Sequence, residues 1–180
     1  GSLLWISGNT RPDICYAVNQ VCRVAHKPTK AAWAAVIRIF RYLRGTLEFA
    51  LVYKRQQNCF ASVDSDSNWA GNQFTRMTTG GGDYFIGNSL ILWKCKTMKE
   101  IFTSTFHSES AFISFMGKIG SWLIPLTKQI FDGAVDGPVV LYNDNQSAIS
   151  SIMEGKIYIP SELATLRSNS CMPTSWWLPI

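Results

Sequence analysis

Val63-Asp64-Ser65-Asp66-Ser67-Asn68-Trp69-Ala70-Gly71 is the stretch on which the reading of this chain turns. It reads as a short β-strand that ends in acidic residues and breaks at a glycine. At period two, Asp64 and Asp66 face the same side. Two later acids can join the strand end: Glu109, at the head of an expected helix, and Asp144, at the end of another expected strand. Three carboxylates carried on separate elements of one sheet suit a hard divalent cation such as Mg²⁺, which is held by carboxylates together with phosphate oxygens and water. In open α/β sheets such sites form outside the strand ends. Two ions roughly 4 Å apart can there clamp the attacking and leaving oxygens of a phosphodiester. With 12 Asp and Glu in the chain, many such trios can be drawn, so spacing alone selects this one only weakly.

Downstream, Gly80–Gly87 predicts a second strand with a loosened entrance, and Leu90–Cys95 a third. The short connections predict an antiparallel meander. Thr105 or Ser108 can cap a helix whose apolar side is Ala111, Phe112, Phe115, Met116 and Ile119. Gly117, Gly120 and Pro125 predict a break or kink that divides it into two helical pieces. The chain restarts at Gly137-Pro138, and Val139–Tyr142 is a short apolar run of the kind buried on both faces of a sheet. It leads through Asn143-Asp144-Asn145 into a helix over Gln146–Met153. Strand, strand, strand, helix, strand, helix is the order of an α/β layer with a mixed sheet and flanking helices. After Gly155 no periodicity continues.

Upstream, a helix is expected over residues 12–25, with Pro12 in its first turn. Thr29 is a suitable N-cap for a second helix that runs to about Leu43 and stops at Gly45, so the two form a helical hairpin. Arg38, Arg41 and Arg44 make a basic stripe beside its apolar face; such a stripe contacts nucleic-acid phosphates or is simply a solvated face. Leu47–Tyr53 reads as a strand, and the polar Lys54-Arg55-Gln56-Gln57-Asn58 turn as a boundary. The expected organisation is residues 1–57, 58–155 and a tail at 156–180.

The 180 residues suffice for one domain with a real core, and 47% hydrophobic content excludes general disorder. No apolar run is long enough to span a bilayer, and the apolar N-terminus lacks the basic region of a signal peptide. The charge of +5 is compatible with a polyanionic partner. Five cysteines without a CxxC pair predict reduced thiols and an intracellular setting, cytoplasm or nucleus.

Several ordered motifs carry a family resemblance. Ser2-Leu3-Leu4-Trp5, Thr10-Arg11-Pro12-Asp13-Ile14-Cys15-Tyr16-Ala17-Val18 and Arg38-Ile39-Phe40-Arg41-Tyr42-Leu43-Arg44-Gly45-Thr46 resemble the end of the reverse transcriptase of copia-type retrotransposons. Asp66-Ser67-Asn68-Trp69-Ala70-Gly71, Trp93-Lys94-Cys95-Lys96, Ser104–Glu109 and Tyr142-Asn143-Asp144-Asn145-Gln146-Ser147-Ala148-Ile149 resemble the ribonuclease H (RNase H) domain that follows it in those polyproteins. The resemblance implies an RNase H-like α/β fold. It also implies cleavage of the RNA strand of an RNA–DNA hybrid with Mg²⁺ or Mn²⁺, beside the reverse-transcriptase portion of a polyprotein. Asp66, Glu109 and Asp144 fall on the family's metal-binding acids; Asp64 is the weaker candidate, because the family motif places the acid directly before Ser67-Asn68-Trp69.

The chain also departs from the pattern. Asn68 and His107 stand where the family has acids, Asp83 stands where it has an apolar residue, and Pro125 interrupts a helix. In the tail, Tyr158–Ala164 faintly resembles the family's last strand and helix, which leaves Thr165 at the place of a fourth carboxylate. Two functions therefore compete: a metal-dependent RNase H-type endonuclease, and an inactive retroelement remnant that at most binds nucleic acid through Arg38, Arg41 and Arg44.

Overall fold

In the computed structural model, residues 1–54, 60–68, 76–131, 135 and 139–156 are described, together with the backbone of 165–168. The chain divides after Val52 into two units. The first contains α1 (Ser2–Asn9), a 3-10 turn (Pro12–Ile14), α2 (Cys15–Cys22) and α3 (Lys30–Gly45). Thr29 caps α3, its hydroxyl accepting from the Ala32 N–H at 3.1 Å. Ile14, Ala17, Val18 and Ile39 form the core, with Leu3, Ile6, Val21, Tyr42 and Leu43 packed around them. α1 is a helix beyond those the sequence predicts. The helix expected over 12–25 is shorter, starting as a 3-10 turn and ending at Cys22.

The strand expected over Leu47–Tyr53 is absent; the backbone there is turn and irregular. A strand needs a neighbour for its ladder of N–H and C=O groups. This segment is anchored by a side chain instead. Arg11 donates to the Thr46 carbonyl at 3.1 Å and to the Thr46 hydroxyl at 2.6 Å, and its guanidinium lies 5.8 Å from the Phe49 ring centre. Asp13 holds that guanidinium from the other side, and the Tyr42 hydroxyl donates to Asp13.

The second unit contains β1 (Ala61–Asn68), β2 (Thr79–Ile86), β3 (Ser89–Thr97), α4 (Thr105–Ile130), β4 (Val140–Asn143), α5 (Gln146–Met153) and β5 (Thr165–Ser168). The sheet order is β3-β2-β1-β4-β5. β1, β2 and β3 pair antiparallel, and β4 pairs parallel with both β1 and β5. Ala61, Val63, Tyr84, Ile86 and Leu141 of the sheet pack on Phe112, Ile113, Met116 and Ile124 of α4. β5 lies within the tail that lacks sequence periodicity, and Thr165 stands opposite Val140. The faint strand-and-helix signal at residues 158–164 and the Trp69-Ala70-Gly71 end of the acidic motif lie outside the described residues.

α4 is a single helix of 26 residues, not the two pieces expected from Gly117, Gly120 and Pro125. Packing overrides propensity here, because most helical stability in a protein comes from the buried face. Gly117 and Gly120 lie on that face. The Tyr84 hydroxyl donates to the Met116 carbonyl, and a Cβ on Gly120 would come within 2.8 Å of that hydroxyl. Pro125 deprives only the Ser121 carbonyl of its helical donor, and Ser121 is exposed to solvent. The Gly80-Gly81-Gly82 run is likewise no loosened entrance but paired strand. A Cβ on Gly80 would collide with the Phe112 ring, and one on Gly82 would lie 2.6 Å from Met116 Sδ. The missing side chains let α4 lie close to the sheet, which brings Glu109 down to the end of β1.

Candidate metal centre

Asp66 comes from β1, Glu109 from the second turn of α4, and Asp144 directly follows β4. The parallel register sets Asp64 opposite Tyr142, and Asp66 and Asp144 each stand two residues further along at the same end of the two strands. One carboxylate oxygen from each of Asp66, Glu109 and Asp144 lies within 4.8 Å of the others.

Glu109 is buried at 4% exposure and held by three donors. The Ser67 N–H and hydroxyl donate to Oε1 at 3.0 and 2.8 Å, and the Asn143 amide donates to Oε2 at 2.9 Å. Burial pushes its carboxyl up to about 7, and the hydrogen bonds from Asn143 and Ser67 oppose that rise. Burial and the nearby Asp144 charge also raise Asp66. Raised carboxyl values in a cluster of like charge mean that a cation would stabilise the ionised forms. The donor set is all oxygen, as hard divalent ions require, and a cation fits the site on that ground.

Asp64 lies outside this trio. It pairs across the sheet with Asp83, in a row that runs Trp93, Asp83, Asp64, Tyr142 over β3, β2, β1 and β4. The neighbouring row Leu92, Tyr84, Val63, Leu141 belongs to the core under α4, so by strand alternation the acidic row faces the other way. Burial pushes Asp64 up to about 6, and burial followed by the charge of Asp64 pushes Asp83 up to about 7. Asp83 is therefore a half-buried carboxyl whose cross-strand neighbour is another acid.

In the other unit, Arg38, Arg41 and Arg44 are all exposed on α3, a helix with no acidic residue. Ser67 and Asn143, the two residues that hold the Glu109 carboxyl, are ones that sequence reasoning passes over. The available signal was slight: one polar residue closing the apolar run Val139–Tyr142.

No family model matches the chain. It is 30% identical over 148 residues to the retrovirus-related Pol polyprotein from transposon RE2 of Arabidopsis thaliana, across 82% of this chain and 10% of that protein. It is 34% identical over 155 residues to the corresponding polyprotein from transposon TNT 1-94 of Nicotiana tabacum, across 83% of this chain and 11% of that one. This chain belongs with the retrotransposon Pol polyproteins. It spans about a tenth of the length of these relatives. Its mixed sheet with flanking helices is RNase H-like, as the copia-type resemblance implies. Among solved structures, LC11-RNase H1 in complex with RNA/DNA hybrid matches with a TM-score of 0.39 at 13% identity, covering 61% of this chain and 83% of that one. The fold class follows from the strand order, and that overlap adds nothing to it. Among the described residues, no helix of this Pol-type chain is long and apolar enough to cross a membrane.

Proposed function

We propose that residues 58–155 form an RNase H-type domain that cleaves the RNA strand of RNA–DNA hybrids, with Asp66, Glu109 and Asp144 as the acids that hold Mg²⁺ or Mn²⁺. Residues 1–57 would be the connecting end of a reverse transcriptase, and residues 156–180 a tail that departs from the family pattern. The observation that carries this reading is the approach of the three carboxylates to within 4.8 Å across three separate elements. A bound divalent cation supplies Lewis-acid chemistry for phosphodiester hydrolysis. The chain's own part is to hold that charge. Asp66 and Asp144 supply anionic oxygens at the ends of adjacent strands, and Glu109 supplies a third from a helix pinned to β1 through Ser67. Arg38, Arg41 and Arg44 offer exposed cations for the phosphates of a hybrid.

One observation favours the inactive remnant as a second reading. The chain has Thr165 where the resemblance calls for a fourth carboxylate, and a hydroxyl cannot replace an anionic ligand. The test is cleavage of an end-labelled RNA–DNA hybrid with Mg²⁺ and with chelator. Metal-dependent cleavage that disappears in Asp66→Asn supports the nuclease. Hybrid binding without cleavage supports the remnant.

A further inference from the structure

We propose that Ser67 and Asn143 are positioning residues that leave Glu109 one oxygen, Oε2, with which to take a cation. The inference rests on the metal-site reading above. A carboxylate oxygen has two lone pairs. Oε1 of Glu109 accepts from the Ser67 N–H and from the Ser67 hydroxyl, whose one proton goes to the shorter contact, Oε1 at 2.8 Å rather than Ser108 Oγ at 3.1 Å, so both lone pairs of Oε1 are engaged. Oε2 accepts once, from Asn143, and keeps one lone pair. Glu109 is thus restricted to a monodentate role before any ion arrives.

Asn143 has its own orientation fixed. It is fully buried, and its two amide hydrogens go to Glu109 Oε2 and to the Ser65 carbonyl at 2.8 Å. Its Oδ1 accepts the Asn145 N–H at 2.9 Å. Turning the amide over would set an oxygen against a carboxylate and a carbonyl, and an NH₂ against an N–H, so the geometry admits one orientation. The Asn143–Asn145 bond closes an Asx turn around Asp144. Asn145 in turn caps α5 by accepting from the Ala148 N–H at 3.1 Å. One side chain therefore sets the free oxygen of Glu109 and also the turn that carries Asp144.

Outer-shell partners of metal ligands commonly contribute 10- to 100-fold in affinity. The probe is Mn²⁺ alone, titrated into the full chain by calorimetry and followed by its paramagnetic resonance spectrum, well below the melting temperature of each variant. Ser67→Ala and Asn143→Ala are each expected to weaken Mn²⁺ by about tenfold and to alter the spectrum of the bound ion. A merely structural role would lower the melting temperature and leave the affinity and spectrum of the folded protein unchanged. Asp66→Asn is the control for the site itself. If the wild type binds Mn²⁺ and Asp66→Asn does not, yet both positioning variants bind as the wild type does, the proposal is overturned while the metal site stands. If the wild type binds no Mn²⁺, the site reading and the proposal fall together. Should Asn143→Ala fail to fold, Ser67→Ala carries the test, since it removes one hydroxyl and keeps the backbone donor to Oε1.

Discussion

Asp83→Asn removes a carboxyl that β2 sets directly opposite Asp64 and puts a neutral amide of the same shape in its place. In the unfolded chain that carboxyl ionises near 3.8; in the sheet, burial and the Asp64 charge hold its proton up to about 7. Between these values the folded state keeps a proton that the unfolded state has released. Stability therefore falls as pH rises from the lower value and levels off above the higher one. At 1.36 kcal/mol per pKa unit, the full penalty at pH 8 is about 4 kcal/mol, of which about 2 to 3 kcal/mol accrues between pH 5 and pH 8. Part of it is shared with Asp64, so the Asn variant is expected to recover about 2 kcal/mol at pH 8 and clearly less at pH 5. Urea unfolding at both pH values is the assay, followed through the amide signals of β2 and β3 so that the N-terminal unit does not contribute. The reasoning is refuted if wild type and variant lose the same stability between pH 5 and pH 8.

Three further outcomes are expected. Asp66→Asn should abolish any Mg²⁺-dependent cleavage of a hybrid while the far-ultraviolet dichroism stays unchanged; cleavage that survives places the chemistry elsewhere. Changing Arg38, Arg41 and Arg44 together to Ala should flatten the salt dependence of duplex binding by about 0.9 in log–log slope for each phosphate that the variant no longer neutralises, whereas an unchanged slope assigns the stripe to solvent. Gly82→Ala should destabilise the sheet unit by about 1 to 3 kcal/mol in urea, because its methyl group would press on Met116 where α4 crosses β2; a neutral result means that α4 can move away freely.

Local chemistry was legible in the chain. Thr29 has the side chain of an N-cap and caps α3, and α5 spans Gln146–Met153 as the pattern after Asn145 predicts. The order of strands and helices, and hence the mixed α/β sheet, follows from alternation and punctuation over windows of a few residues. What those windows missed depends on partners far away in sequence. Leu47–Tyr53 has the composition of a strand but pairs with no strand among the described residues, and it stays irregular. α4 runs through two glycines and a proline because Tyr84 and the sheet occupy the face those glycines open. Asp83 stands opposite Asp64 because a register fixed by the whole β1–β2 ladder puts it there. Asn143 reaches the Ser65 carbonyl across 78 residues of chain, and Glu109 reaches Ser67 across 42. The sequence by itself determined the order of elements from β1 to α5 and the acids available at their ends, but neither α1 nor β5. Only the tertiary structure decided which acid lies beside which, and which oxygen of Glu109 is left free, because distances between carboxylates are set by strand register and helix packing, neither of which has a local signature.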